Sequence, residues 1–290
     1  MLLSAKIGKA YVVTCAMVSA MIIVVILAFL VANSWQAFSQ VGWSLLGWVW
    51  NPPKGQFGIL PMVYGSFAVT VIALGIALPL GIATAVFTSE MLSATMRIYV
   101  KSFLELLAGI PSIVYGLMGV AFLSVFVQDV FDLQSGRTIL TGGILLSVMV
   151  LPTVITLCDD AMHHIPMTYR EAARGLGLYK YEVVKDVVLP AAKMDILGAV
   201  LLALGRVLGE TMAVMLVIGS IDRMPVPFWN VLVPGQTLTS KLGREMAEAA
   251  FGSLHFEAMI AMGLILLFFV LVLTVVSLTY FYNPEGRLYE

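Results

Sequence analysis

Six stretches of this chain are long and apolar enough to cross a bilayer: roughly 10–33, 63–88, 104–127, 139–158, 196–220 and 256–282. A hydrocarbon core about 30 Å thick takes about 20 residues of helix at 1.5 Å rise each. No water is present there, so every backbone N–H and C=O must be paired within the protein. These runs confine the chain to an all-α, six-span polytopic membrane fold. Only 11% of its residues are charged, against about 25% in a soluble domain. A net charge of −1 excludes a basic nucleic-acid reader. Cys15 and Cys158 sit far apart in or beside apolar runs and read as small buried hydrophobes, not as a disulfide.

The first apolar run, Ala10 to Ala32, exceeds the roughly 7–15 residues of a signal-peptide core, so an uncleaved first span is expected. With six spans both termini share one side. Placing them in the cytoplasm puts Lys6, Lys9, Arg97, Lys101, Arg170, Arg174, Lys180, Lys185, Lys193 and Arg287 inside. Lys54, Arg137, Arg223, Lys241 and Arg244 fall outside, and ten against five agrees with the positive-inside rule. The expected organisation is an N-terminal span with a Trp-rich outer segment (1–62), a bundle of spans (63–282) interrupted by a cytoplasmic loop (159–195), and a short tail (283–290). Trp35, Trp43, Trp48 and Trp50 suggest an interfacial belt. Pro79, Gly81, Gly109, Pro111 and Pro152 are expected to kink spans. Leu238 to Phe251 has helical composition suited to lying along the outer membrane face.

Residues 159–195 carry 11 of the 33 charged side chains. Thr168 and Glu171 have capping-box spacing, and Pro166 discourages an earlier helical start. A short helix through Glu171, Ala172, Ala173 and Arg174 is predicted, stopped by a left-handed turn at Gly175 and Gly177. A second helix is predicted from Tyr179 to Val188, ending ahead of Pro190. From the residues alone, the loop is either a solvated helical hairpin or a docking element whose small alanines admit a close partner. Its spacing adds a resemblance. Glu171-Ala172-Ala173, three residues, Gly177, nine residues, Val187, one residue and Leu189-Pro190 resembles the EAA loop of ABC-importer permeases, which usually have Ile where this chain has Val187. In that family the loop docks on a cytoplasmic ATPase, which implies a coupling role for Glu171, Ala172, Ala173, Gly177, Leu189 and Pro190. The chain has no Gly-x-x-x-x-Gly-Lys-Ser/Thr phosphate loop, so ATP and Mg are expected on that partner and no cofactor on this chain.

The fifth span alone carries charge well inside it, at Arg206 and Glu210. Four residues apart, they would share one face of a continuous helix. A charge at the bilayer centre costs at least ~2.5–3.5 kcal/mol and faces a bundle interior or a wet cavity. The pair reads either as a structural ion pair, with Gly205 and Gly209 as a packing seam, or as an anion pathway in which the planar Arg206 fork suits a tetrahedral oxyanion. Residues 205–219, the segment Gly109-Ile110-Pro111-Ser112-Ile113-Val114-Tyr115-Gly116, and Leu254-His255-Phe256-Glu257-Ala258 closely resemble the PstC-type permeases of phosphate importers. The resemblance covers about 60–290.

It implies the type I ABC-importer permease fold, residence in a bacterial or archaeal inner membrane, and a substrate-path role for Arg206 and Glu210. It also implies four partners: a second permease contributing another arginine, a cytoplasmic ATPase dimer, an extracytoplasmic phosphate-binding protein, and inorganic phosphate. A permease for sulfate or molybdate, an ion-coupled secondary transporter or channel, and a membrane scaffold are the alternatives. Asp159, Asp160, His163 and His164 are adjacent pairs that converge poorly on a metal, so helix-end solvation is expected there. Asp195, Glu105 and Glu257 near span ends are expected to be interfacial. No spacing of Ser, His, Asp or Cys suggests hydrolysis, and no enzyme active site is expected.

Overall fold

The computed structural model describes residues 2–281; the expected tail at 283–290, with Arg287, lies outside the described residues. Its helices are α1 (Leu2–Gln40), α2 (Leu60–Glu90), α3 (Ala94–Ala108), α4 (Ser112–Val130), α5 (Ile139–His163), α6 (Met167–Gly175), α7 (Lys180–Gly209), α8 (Met212–Val217), α9 (Leu238–Glu245) and α10 (Leu254–Phe281). Between α1 and α2 a two-residue antiparallel hairpin pairs β1 (Trp50–Asn51) with β2 (Gln56–Phe57). Six of these helices, α1, α2, α4, α5, α7 and α10, are long and apolar enough to span a membrane.

The centre of the bundle is the α2–α5 pair, with α3, α7 and α8 packed around α5, and α10 beside α1. Ala73, Ala77, Gly81 and Ala85 recur every fourth residue on α2 and are all buried. Such a stripe of small residues lets two membrane helices approach closely where lipid offers no competing hydrophobic drive. At Gly81 the approach is tight enough that an added Cβ would stand 2.6 Å from Val154 Cγ1 on α5. Gly81→Val is therefore expected to destabilise the bundle by about 1–3 kcal/mol through overpacking. Thermal unfolding in detergent checks this, and an unchanged midpoint would refute the seam.

Two expected spans are broken. The third begins only at Ser112, because Pro111 has no N–H and separates α3 from α4. The carbonyl of Leu107, which Pro111 cannot serve, accepts from Ile110 N at 3.2 Å and from Tyr115 Oη at 2.9 Å. Pro79 and Pro152 lie inside continuous helices. The fifth span stops at Gly209: Glu210 is extended (φ −71°, ψ 124°), and a separate short helix follows from Met212. Arg206 and Glu210 consequently do not share one helix face.

The loop region is also more continuous than its sequence suggested. Pro190 does not end a helix. A π-helical stretch at Val183–Val188 precedes it, and α7 runs unbroken from Lys180 into the membrane. Widening the turn removes the clash and lost bond that a proline imposes on an ordinary α-helix. Thr168 does not cap α6, which starts at Met167 behind Pro166 with no side-chain cap. The predicted left-handed stop is present at Gly177 (φ +88°).

At the hairpin end, α9 covers only the first part of the helix expected from Leu238 to Phe251, ending at Glu245. Its first residues, Leu238 to Lys241, are buried against the bundle. Trp35, Trp43 and Trp48 are exposed as a belt requires, but Trp50 is buried in a cluster with Phe57. Glu257 is buried near Gln36 instead of interfacial, while Asp195 and Glu105 are exposed. Cys158 is buried and Cys15 exposed, and both are free thiols.

Candidate substrate path and docking surface

Breaking a helix inside a membrane leaves orphan backbone groups, N–H at the new start and C=O at the old end. The two breaks of this bundle are packed together. At Gly116 on α4 an added Cβ would stand 3.0 Å from Ala213 Cα on α8. Two of the orphan groups take the charged side chains of the fifth span as partners. Glu210 Oε1 accepts from Ala213 N at 3.1 Å, and Arg206 Nη2 reaches the Ala108 carbonyl at 3.5 Å. A cation against a helix C-terminus and a carboxylate against a helix N-terminus both follow the sign of the helix dipole.

Arg206 and Glu210 thus meet helix ends, not each other. Among the described residues no carboxylate lies within 4.0 Å of Arg206. The expected packing seam at Gly205 and Gly209 has nothing within 4 Å of either Cβ position, and Leu202 and Met212 flanking it are exposed. Among the described residues, nothing packs on this face of α7 at Gly205 and Gly209. Arg206, half-buried at its edge, keeps most of its donors available.

The expected docking residues sit at the opposite end of the bundle from the hairpin. Glu171, Ala172, Arg174 and Gly177 are exposed, Ala173 is buried, Leu189 is half-buried, and Pro190 is exposed. Exposed Met167, Tyr169, Leu176, Tyr179 and Tyr181 surround the alanine face. The surface is therefore small at its centre and apolar at its rim. Behind it, Arg170 Nη2 bonds Glu90 Oε1 at 2.6 Å, with both side chains almost wholly buried. The same guanidinium donates to the carbonyls of Ile165 at 2.6 Å and Met162 at 2.8 Å. One residue of α6 is thereby bolted to the ends of α2 and α5.

A second buried pair lies nearby. Asp159 is not solvated at a helix end. It accepts from Arg97 Nε at 3.1 and 3.0 Å, from Arg97 Nη2 at 2.6 Å, and from Thr88 Oγ1 at 2.9 Å. Lys101 pairs with the more exposed Asp160. No group of three metal-ligating side chains converges among the described residues. Sequence reasoning missed Glu90–Arg170 and Arg97–Asp159 because the partners lie 80 and 62 residues apart, and no spacing signals them.

The chain matches the family described as binding-protein-dependent transport system inner membrane component over residues 77–283. It is 37% identical over 257 residues to the phosphate transport system permease protein PstC of Mesorhizobium japonicum, covering 82% of this chain and 77% of that one. To the PstC protein of Haemophilus influenzae it is 30% identical over 285 residues, 90% of this chain and 89% of that one. Among solved structures, one chain of a bacterial ABC transporter involved in the import of the acidic polysaccharide alginate superposes with a TM-score of 0.57 over the full length of both chains. At 14% identity that likeness bears on the fold alone.

Proposed function

The chain belongs to the family of inner membrane components of binding-protein-dependent transport systems, and we propose that it is the PstC-type permease subunit of an ATP-driven inorganic phosphate importer. It forms half of the translocation path, and a second permease covers the open Leu202–Gly205–Gly209–Met212 face of α7 and α8. The α6 end lies in the cytoplasm, together with both termini. There Glu171, Ala172, Ala173, Gly177, Leu189 and Pro190 couple the chain to a separate ATPase dimer that carries ATP and Mg. An extracytoplasmic phosphate-binding protein delivers substrate at the hairpin end.

One observation carries the anion reading: Arg206 stands beside an open face and, among the described residues, has no carboxylate within 4.0 Å. A guanidinium held against carbonyl dipoles, with its remaining donors free, suits a tetrahedral oxyanion that it can grip by two parallel bonds. Closure of the ATPase dimer moves α6. Because α7 is continuous from Lys180 to Gly209, that movement reaches the break where Arg206 and Glu210 sit. A rigid element with two positions is what transmission between distant sites requires.

The test is ATP-dependent uptake by the four-component complex in proteoliposomes, offered phosphate, sulfate and molybdate in turn. Phosphate is expected to be carried and the others not; equal sulfate uptake would overturn the assignment of cargo. The docking role has its own test. Glu171→Arg sets a charge of the wrong sign on the exposed face, and it is expected to reduce co-purification of the ATPase and lower uptake more than tenfold. Full retention of both would remove α6 from the coupling scheme.

A further inference from the structure

At the hairpin end lies a closed ionic cluster that the transport reading leaves without a role. Lys241 is fully buried, and its ammonium pairs with Asp222 and, at 2.5 Å, with Glu245. It lies 5.2 Å from the centroid of the Trp50 ring. Glu245 also accepts from Trp50 Nε1 at 3.1 Å and faces His255 Nε2 at 3.3 Å. Arg244 stands 3.3 Å from Glu245 and donates to the Ser220 carbonyl at 3.0 Å. Burial alone would raise the Glu245 carboxyl, but the bonds from Lys241, Trp50 and Arg244 hold it below the usual carboxylate value. The cluster therefore joins β1, the strand of chain after α8, α9 and the start of α10 through opposed charges.

The element held by all these bonds is α9, and α9 touches the break in the substrate path. Thr239 Oγ1 donates to the Glu210 carbonyl at 2.8 Å. Gly243 lies so close to Thr211 that an added Cβ would be 2.5 Å from its Cγ2. On the other side, Leu238 N donates to Ser66 Oγ of α2 at 2.9 Å. We infer that Lys241 is a positioning residue for the path: it fixes α9 so that Thr239 and Gly243 hold the Glu210–Thr211 break, and the Arg206 guanidinium one turn before it, in a single geometry.

Charge suits that task better than apolar packing. A buried ion pair adds little net stability over hydrophobic residues of the same shape, yet removing one partner leaves a strongly disfavoured lone charge. The Lys241 cluster is satisfied only when α9, Asp222 and the hairpin arrive in one register. The inference rests on reading Arg206 and Glu210 as path residues, so its test needs a readout that does not depend on the cargo.

The assembled four-component complex serves for this, with uptake and ATP hydrolysis measured on the same proteoliposomes. Lys241→Met is expected to lower the maximal phosphate uptake rate at least tenfold, to leave the KM for delivered phosphate within twofold, and to raise ATP hydrolysis in the absence of binding protein. Lys241→Met combined with Glu245→Gln restores charge balance, leaving Asp222 opposite Arg244, and is expected to recover at least a third of the lost rate. Thr239→Val keeps the ionic cluster but removes the bond to Glu210, and is expected to reproduce the rise in unstimulated hydrolysis. Wild-type coupling in Lys241→Met would overturn the inference. So would a loss of assembly that Glu245→Gln does not relieve, accompanied by wild-type hydrolysis in Thr239→Val. If the wild-type complex carries no phosphate, the cargo assignment fails alone, because unstimulated hydrolysis still reports on α9.

Discussion

Arg206→Gln is expected to cut ATP-dependent phosphate uptake by at least about 100-fold while leaving the ATPase subunit bound. A factor of 100 corresponds to about 2.7 kcal/mol in the rate-limiting free energy. A hydrogen bond to a charged group contributes about 1.5–3 kcal/mol net, so the loss of one charge-assisted fork suffices. Glutamine stays polar and fits the space of the longer arginine, and the one backbone contact it gives up, to the Ala108 carbonyl at 3.5 Å, is long. What it removes is the positive charge and the two parallel donors that a tetrahedral oxyanion needs. Arg206→Lys retains charge without the fork and is expected to fall between the two. Initial rates of radiolabelled phosphate uptake at fixed ATPase content make the comparison. Unchanged uptake in Arg206→Gln would end the anion-path proposal.

The sequence showed the spans well because membrane insertion is governed by local composition. All six apolar runs correspond to helices that qualify as spans. Where it failed, a distant partner or a backbone adjustment decided the outcome. Pro111 breaks its span while Pro152 does not, and the carbonyl beside the break is served by the Tyr115 hydroxyl from the next helix, a contact that no local pattern announces. Pro190 is carried through behind a π-helical turn, a backbone adjustment that no residue spacing announces. Arg206 and Glu210 were identifiable as buried charges, yet their four-residue spacing implied a pair that the extended backbone at Glu210 prevents. For α9 the helical composition of Leu238 to Phe251 does not show that its first turn is buried. Its burial depends on Gly65, where any Cβ would stand 2.0 Å from the Gln236 carbonyl, so that only a glycine admits the chain leading into α9.

Arg170→Ala is the substitution expected to cost the fold most at the docking end, by about 3–5 kcal/mol. Arg170 and Glu90 are each about nine-tenths buried, at 8% side-chain exposure. Truncating the arginine strands the Glu90 carboxylate and frees the carbonyls of Ile165 and Met162 from their donor. A change of that size arises from few mechanisms, and an unpaired buried charge is one of them. The functional consequence should be distinct from that of Glu171→Arg, which alters the exposed face. With Arg170 gone, α6 still presents its alanines to the ATPase but is no longer bolted to α2 and α5. ATP hydrolysis should persist while uptake per ATP falls. Replacing both partners, as in Arg170→Met with Glu90→Leu, exchanges the ion pair for apolar groups of similar bulk and is expected to recover most of the lost stability. Chemical denaturation of the purified complex measures the first effect, and the ratio of uptake to hydrolysis measures the second. A single variant within about 1 kcal/mol of wild type, the size of a solvent-exposed pair, would mean that water reaches Glu90 and that the Arg170 bolt does not hold the docking helix.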